Sequence, residues 1–257
     1  MKGLIFNQRD IHMTKNVPTR RIYKKAPILE AVIDFRLNTT ITTDFHQFQE
    51  NFRHAISDDY HFDSVHDEYE FKINESVVSE KIHTIKTLRF KSQDKNIIVQ
   101  ARLDGFSISK LAPYDRWETF VEEAKKLFIV YNRIATIKTI LRIAVRFINR
   151  FDLPGPSVEL ANYLNIFPHF PQSDYLSGFA MQVILRHAQP DTTLVIREAL
   201  APPSKPGVIS ILLDLDLFHE KEHSYSDNLW AILESLHTRK NEAFENAITD
   251  KMRKLIS

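Results

Sequence analysis

The stretch Ile28-Leu29-Glu30-Ala31-Val32-Ile33-Asp34-Phe35-Arg36-Leu37 decides how the rest of this 257-residue chain is read. Leu29, Ala31, Ile33, Phe35 and Leu37 recur with period two, while Glu30, Asp34 and Arg36 take the other face, the pattern of a strand with one buried side. Pro27 just before it suits the first residue of a strand. A second such opening runs from Ile137 to Asn149 and, with Lys138, Arg142, Arg146 and Arg150, carries a cation at every fourth position. After each opening strand the chain passes through a similar order: a short helix, several strands, a closing helix. Residues 27–132 form the first set and residues 136–257 the second. The repetition predicts a single duplicated α+β domain over 27–257, preceded by an N-terminal arm of residues 1–26.

In the first set, Thr43 or Asp44 caps a helix whose Phe45, Phe48, Phe52 and Ile56 follow helical spacing, with Asp58-Asp59 at its end. Strands are expected at Glu68–Ile73, Lys81–Lys91, Asn96–Leu103 and Phe106–Leu111, with Ser92-Gln93-Asp94-Lys95 and Asp104-Gly105 as turns. Pro113-Tyr114 opens a long helix with an apolar stripe from Trp117 to Tyr131. In the second set, Leu153-Pro154-Gly155-Pro156 breaks the strand and Ser157 caps a short helix to about Leu164. Strands follow at Tyr175–His187, Thr192–Leu200 and Val208–Phe218, with Gln189-Pro190-Asp191 as a hairpin link and Ala201–Gly207 as a stiff loop. A helix from about Ser226 closes the chain, with a break near Arg239 or Thr249.

The order β-α-β(3–4)-α, twice, looks like the saddle of TATA-binding-protein-like folds, in which one long antiparallel sheet carries its helices on one face. A helix-grip fold is the rival. The saddle predicts that the two opening strands lie antiparallel at the centre of the sheet. Pairing of opposite charges then predicts Glu30 opposite Arg146, Asp34 opposite Arg142 and Val32 opposite Ala144.

Composition narrows the chemistry. The chain has no cysteine, which excludes disulfides, thiolate metal sites and cysteine nucleophiles. Its 5 glycines include no Gly-x-Gly-x-x-Gly or Walker-type loop, so phosphate-cradling nucleotide sites are not expected, and no Gly-x-Ser-x-Gly elbow occurs. No cofactor is implied. No apolar run approaches the ~20 residues of a membrane span, and Leu4-Ile5-Phe6 is too short for a signal peptide, so the expectation is a cytoplasmic protein without a membrane partner. Net charge is +1, leaving no global field to draw nucleic acid. Locally, Arg9, Lys15, Arg20, Arg21, Lys24 and Lys25 make the first stretch basic, and Met13 offers a second start.

Three segments resemble an uncharacterised, sporadically distributed prokaryotic family of about this length. They are Tyr23-Lys24-Lys25-Ala26-Pro27-Ile28-Leu29-Glu30-Ala31, Gly105-Phe106-Ser107-Ile108-Ser109-Lys110-Leu111-Ala112-Pro113-Tyr114-Asp115-Arg116-Trp117, and Arg142-Ile143-Ala144-Val145-Arg146-Phe147-Ile148-Asn149-Arg150. The family has no activity to carry over. Its patchy distribution associates it with mobile-element or phage-defence loci.

Among candidate sites, His219-Glu220-Lys221-Glu222-His223 is a formal His-Glu-x-x-His, which in zincins places two zinc ligands one helical turn apart. Here it directly follows a strand and precedes the cap Ser226-Asp227, so His219, Glu220 and His223 are read as a solvated turn and no metal site is expected. His54, Asp58, Asp59, His61, Asp63, His66 and Asp67 have irregular spacing and are read as a polar loop. Asp214 and Asp216 share a strand face and, with Asp34 or Glu30, offer carboxylates for magnesium; the simpler reading is the polar face of a half-buried strand. The leading expectation is therefore a non-catalytic binding or regulatory protein with a protein partner. A nucleic-acid binder using Lys138, Arg142, Arg146, Arg150 and the basic arm is second, and a metal-dependent hydrolase or nuclease third. Glu30 and Asp34 complete the possible binding face.

Overall fold

The computed structural model describes residues 21–40, 44–70, 73–74, 77–78, 83–169, 176–188, 191–225 and 228–257. The elements in chain order are β1 Ile28–Thr39, α1 Phe45–Ala55, β2 Tyr60–Glu70, β3 Ile73–Asn74, β4 Val77–Val78, β5 His83–Ser92, β6 Ile97–Arg102, β7 Gly105–Leu111, α2 Trp117–Ala135, β8 Ile137–Pro154, β9 Ala180–Ala188, β10 Asp191–Ala201, β11 Val208–His219, β12 His223–Ser224, α3 Leu229–Ala247 and α4 Asp250–Ile256. One ten-stranded sheet, with antiparallel pairing throughout, runs in the order β2-β5-β6-β7-β1-β8-β11-β10-β9, with β12 paired to β8. β3 and β4 pair only with each other.

The two opening strands meet at the middle of this sheet, as the saddle reading requires, but two residues away from the expected register. Val32 faces Arg146, Asp34 faces Ala144 and Arg36 faces Arg142. A two-residue slip leaves every side chain on its original face, so alternation cannot distinguish the two registers. Packing does. In the observed pairing Ala31 lies opposite Phe147 and Phe35 opposite Ile143, small against large and aromatic against branched. Leu141 falls in an irregularity between the Arg36 and Leu37 pairs and is exposed. A second irregularity between Ile28 and Glu30 turns Leu29 outward, off the face that its period-two position assigned it.

The buried face of the central strands, with Ala31, Ile33, Phe35, Phe106, Phe147 and Leu215, carries the helices. Phe48 and Phe52 of α1 meet Tyr131 of α2 at 6.1 and 6.3 Å between ring centroids, and Phe52 meets Phe90 of β5 at 5.4 Å. Phe128 of α2 and Trp230 of α3 both lie on Phe35. His237 of α3 stacks on Trp117 at 3.9 Å, and the Trp117 indole donates to Glu234 at 2.6 Å. These rings join α2, α3 and both halves of the sheet into one core.

Three local expectations are corrected. Tyr60–Glu70 is a full strand, so the polar loop read at His61–Asp67 is the sheet's edge, with an irregularity between Phe62 and Ser64. The helix expected from Ser157 is a single 3-10 turn at Leu160–Asn162. Its backbone is occupied elsewhere: the Asn165 N–H donates to Ala247 C=O at 2.8 Å, and Tyr163 C=O accepts from the Thr249 N–H at 3.0 Å. Those bonds hold the segment in the gap between α3 and α4, and Ile248-Thr249 is the break in the closing helix. α1 is capped by Asp44, whose carboxylate accepts from Gln47 N–H at 2.8 Å, and it stops at Ala55, short of Asp58-Asp59. The Ser226-Asp227 cap, the Gln189-Pro190 link, Thr43, Met13 and the arm up to Arg20 lie outside the described residues. α3 takes Asn228 as its cap.

Candidate functional site

Opposite the helices, the central strands present charged side chains that are bonded to one another. Because antiparallel partners share a face, Asp34 of β1, Arg102 of β6, Arg142 and Arg146 of β8, Asp214 and Asp216 of β11, and Arg197 of β10 all project from this side. Asp34 accepts from Arg102 Nη2 at 2.8 Å and from Arg142 Nη1 at 3.0 Å. Arg142 also reaches Asp216 at 3.4 Å and Glu220 at 3.8 Å. Arg146 grips Asp214 with both Nε (2.8 Å) and Nη2 (2.7 Å), the two-pronged geometry that makes such pairs strong. Arg197 closes the row, 3.2 Å from Asp214.

These groups surround a cavity of ≈ 240 Å³ floored by Val32 and Ala144 and flanked by Gln100, Ser107 and Ser109. The two serines are buried although they lie on the helix-free face, and the Ser107 hydroxyl donates to Gln100 Oε1 at 3.2 Å. Gly105 permits this crowding: a Cβ there would stand 2.8 Å from Phe35 C=O and 2.5 Å from the Arg102 guanidinium.

The electrostatics follow from burial and contact. Burial pushes the Asp216 carboxyl upward, against the pull of Arg142, Arg146 and Arg197. Arg146 is held still more firmly protonated by its hydrogen bonds to Asp214. Glu30 lines the cavity beside Arg146 and makes no ion pair of its own among the described residues. The charged side chains lining the cavity are Arg102, Arg142 and Arg146 against Glu30, Asp34 and Asp216, and the adjoining Asp214 and Arg197 add one of each sign, so the wall is formally balanced.

Of the residues read from sequence as a binding face, the fold brings Glu30, Asp34, Arg142 and Arg146 together and separates the other two. Arg150 belongs to a different cluster, with Asp152 at 3.1 Å, Ser210 at 2.9 Å and Pro202 C=O at 2.6 Å. Asp152 also accepts from the Ser204 and Ser210 hydroxyls, each at 2.6 Å, and these bonds fasten the proline-rich 201–207 loop to the sheet. Burial works to raise the Asp152 carboxyl, but the two hydroxyls and Arg150 outweigh it and hold it below the usual range. Lys138 is exposed at the far end of β8.

Arg102 and Arg197 are the members that sequence reading missed. Each occupies the polar parity of its strand, a signal that becomes usable only once strand order is known.

His219 and His223 do not share a helix. His219 ends β11, bonded to Asp191 C=O, and His223 begins β12, their rings 5.0 Å apart. Glu220 turns to the other face, toward Arg142. Asp214, Asp216 and Asp34 face arginines, and no cluster of three or more metal-ligating side chains occurs among the described residues. On β2, Asp63 pairs with Lys91 at 2.7 Å and His66 lies 2.8 Å from the Ser64 hydroxyl. No described helix is long and apolar enough to cross a membrane. A scan against protein-family models yields no match, and a search of curated proteins yields none.

Proposed function

We propose that this chain is a non-catalytic binding protein that regulates a protein partner, and that the partner docks on the helix-free face over the Asp34–Arg142 cluster. The reading rests on the charge state of that face. The four arginines of the cluster, Arg102, Arg142, Arg146 and Arg197, are each bonded to a carboxylate, while Glu30 stands beside the cavity with no ion pair among the described residues. Phosphate recognition draws on arginines whose charge is not already offset by a neighbouring carboxylate. A charge-balanced cavity of this size, with Glu30 left over for one basic side chain of a partner, is smaller than the several hundred Å³ usual for a cofactor.

The same reading takes the scaffold as duplicated and saddle-like. In each half the opening strand lies beside the last long strand before the closing helices, β1 beside β7 and β8 beside β11. That correspondence supports an ancestral repeat of residues 27–132 and 136–257. A locus of the mobile-element or phage-defence kind would supply the partner from an adjacent gene.

The test has two arms. Single- and double-stranded DNA and RNA are titrated across salt concentrations; sub-micromolar binding with a steep salt slope, lost in Arg142→Ala, would replace this reading with a nucleic-acid function. In the second arm the product of the neighbouring gene is titrated against wild type and Glu30→Arg. Loss of binding in the variant supports the proposal, and equal binding removes this face from it.

A further inference from the structure

The two edges of the sheet are built differently. β2, at one edge, is interrupted between Phe62 and Ser64 and carries the exposed His61, Asp63 and His66, features that discourage further pairing. β9, at the other, pairs with β10 in unbroken register from Ala180↔Ala199 to Asp191↔Ala188, with no proline and no irregularity. Its sequence, Ala180-Met181-Gln182-Val183-Ile184-Leu185-Arg186-His187-Ala188, has one formal charge, and Ile184 and Leu185 are 55% and 43% exposed.

The ladder fixes which backbone groups of β9 have no partner among the described residues. Leu200 N–H donates to Phe179 C=O at 3.0 Å, so 179 and 200 form a hydrogen-bonded pair. Alternation then points Met181, Val183, Leu185 and His187 inward to β10 and leaves the N–H and C=O groups of Ala180, Gln182, Ile184, Arg186 and Ala188 directed away from the sheet. Ile184 is the central member of that outward set.

We infer that β9 pairs with β9 of a second copy of this chain, antiparallel and about a two-fold axis at Ile184, joining two sheets into one. This register is self-complementary at every level. The outward backbone groups coincide, since Ile184 meets Ile184 while Gln182 meets Arg186 of the second copy. No like charges stand opposite one another, and the Gln182 carbonyl that already accepts from Arg197 at 2.9 Å is a fitting neighbour for a guanidinium. The two exposed apolar side chains are covered together: Ile184 by its own symmetry mate on the helix-free face, and Leu185 by Val183 of the second copy on the helix side. A closed two-fold pairing also consumes the edge, where a head-to-tail contact would continue into fibres.

The experiment is sedimentation equilibrium of the full chain from low to high micromolar concentration, with two edge variants. Ile184→Lys puts like charges on the axis. Ile184→Pro removes an outward donor and leaves the bonds to β10 in place. A wild-type dimer that dissociates at least tenfold more readily in both variants, with unchanged circular dichroism, supports the inference. A third variant, Ile184→Cys, exploits a chain without cysteines: oxidation should give one disulfide-linked dimer, because Cα atoms of a hydrogen-bonded antiparallel pair lie within disulfide reach. The control Val65→Cys, on β2, should stay monomeric under oxidation. A wild-type monomer at all concentrations, or a dimer indifferent to Ile184→Lys, overturns it, the latter assigning the interface to another surface.

Discussion

Arg142 stands diagonally across the β1–β8 boundary from Asp34, its Nη1 3.0 Å from the carboxylate, while directly opposite its backbone lies another arginine, Arg36. The ion pair therefore spans a register that places like charges face to face. It works because Asp34 accepts simultaneously from Arg102, and Arg142 leans on to Asp216 and over the Phe218 ring at 4.3 Å.

That sharing predicts a measurable cost for removing the central acid. Asp34→Ala leaves two largely buried guanidinium groups short of a partner and should lower stability by about 1.5–3 kcal/mol, read as a shift in urea midpoint at constant slope. Asp34→Ala combined with Arg142→Ala should cost less than the two separate losses added together. An Asp34→Ala midpoint equal to wild type would show that the cluster contributes nothing to the fold.

Glu198 predicts a pH dependence. On β10 it faces Leu213 and Met181 on the helix side, is 1% exposed, and neither carboxylate oxygen has a hydrogen-bond partner. Burial pushes its carboxyl up to about 8. In the unfolded chain it titrates near ~4.3. The folded state thus binds the proton more tightly, so the favourable contribution is complete below about pH 4 and is lost as pH rises toward 8. The melting temperature should fall more steeply over this range in wild type than in Glu198→Gln, whose side chain cannot ionise. Parallel curves would show that Glu198 ionises freely in the folded state.

The closing helices should prove inseparable from the sheet. Leu233, Leu236, Met252 and Ile256 are buried, and Ile256 C=O accepts from Lys25 N–H at 3.0 Å, tying the last turn of α4 to the turn that leads into β1. Burial of one such side chain is worth roughly 1.5–3 kcal/mol, so truncation after Ser224 removes more than a marginal fold can lose. The truncated chain is expected to melt without cooperativity; a sharp transition near that of the full protein would contradict this.

Purified protein is expected to carry no stoichiometric zinc, because His219 and His223 sit on separate strands and Glu220 points to the opposite face. Elemental analysis is the measurement. One zinc per chain, lost in His223→Ala, would refute it.

Most of the fold was legible in the chain itself because most strands here have one wet face and one dry one. Ala31, Ile33, Phe35 and Leu37 announce β1 by alternation, and the stripe from Trp117 to Tyr131 announces α2. β2 was only partly legible for the opposite reason: an edge strand buries little, so His61-Phe62-Asp63-Ser64-Val65-His66 follows no apolar period, and what holds it is the ladder to β5. The 160–165 turn was unreadable because its backbone partners, Ala247 and Thr249, lie far along the chain. The candidate site divides in the same way. Local sequence determined that Asp34, Arg142, Arg146, Asp214 and Asp216 share the polar faces of their strands. Only the tertiary structure decided that Arg102 and Arg197 join them, that Arg150 does not, and that Arg146 belongs to Asp214 instead of Glu30. A two-residue slip between β1 and β8 changes no face and no hydrophobic pattern, so the sequence leaves it free. Core packing of Ala31 against Phe147 and Phe35 against Ile143, summed over a long strand pair, is what selects one register.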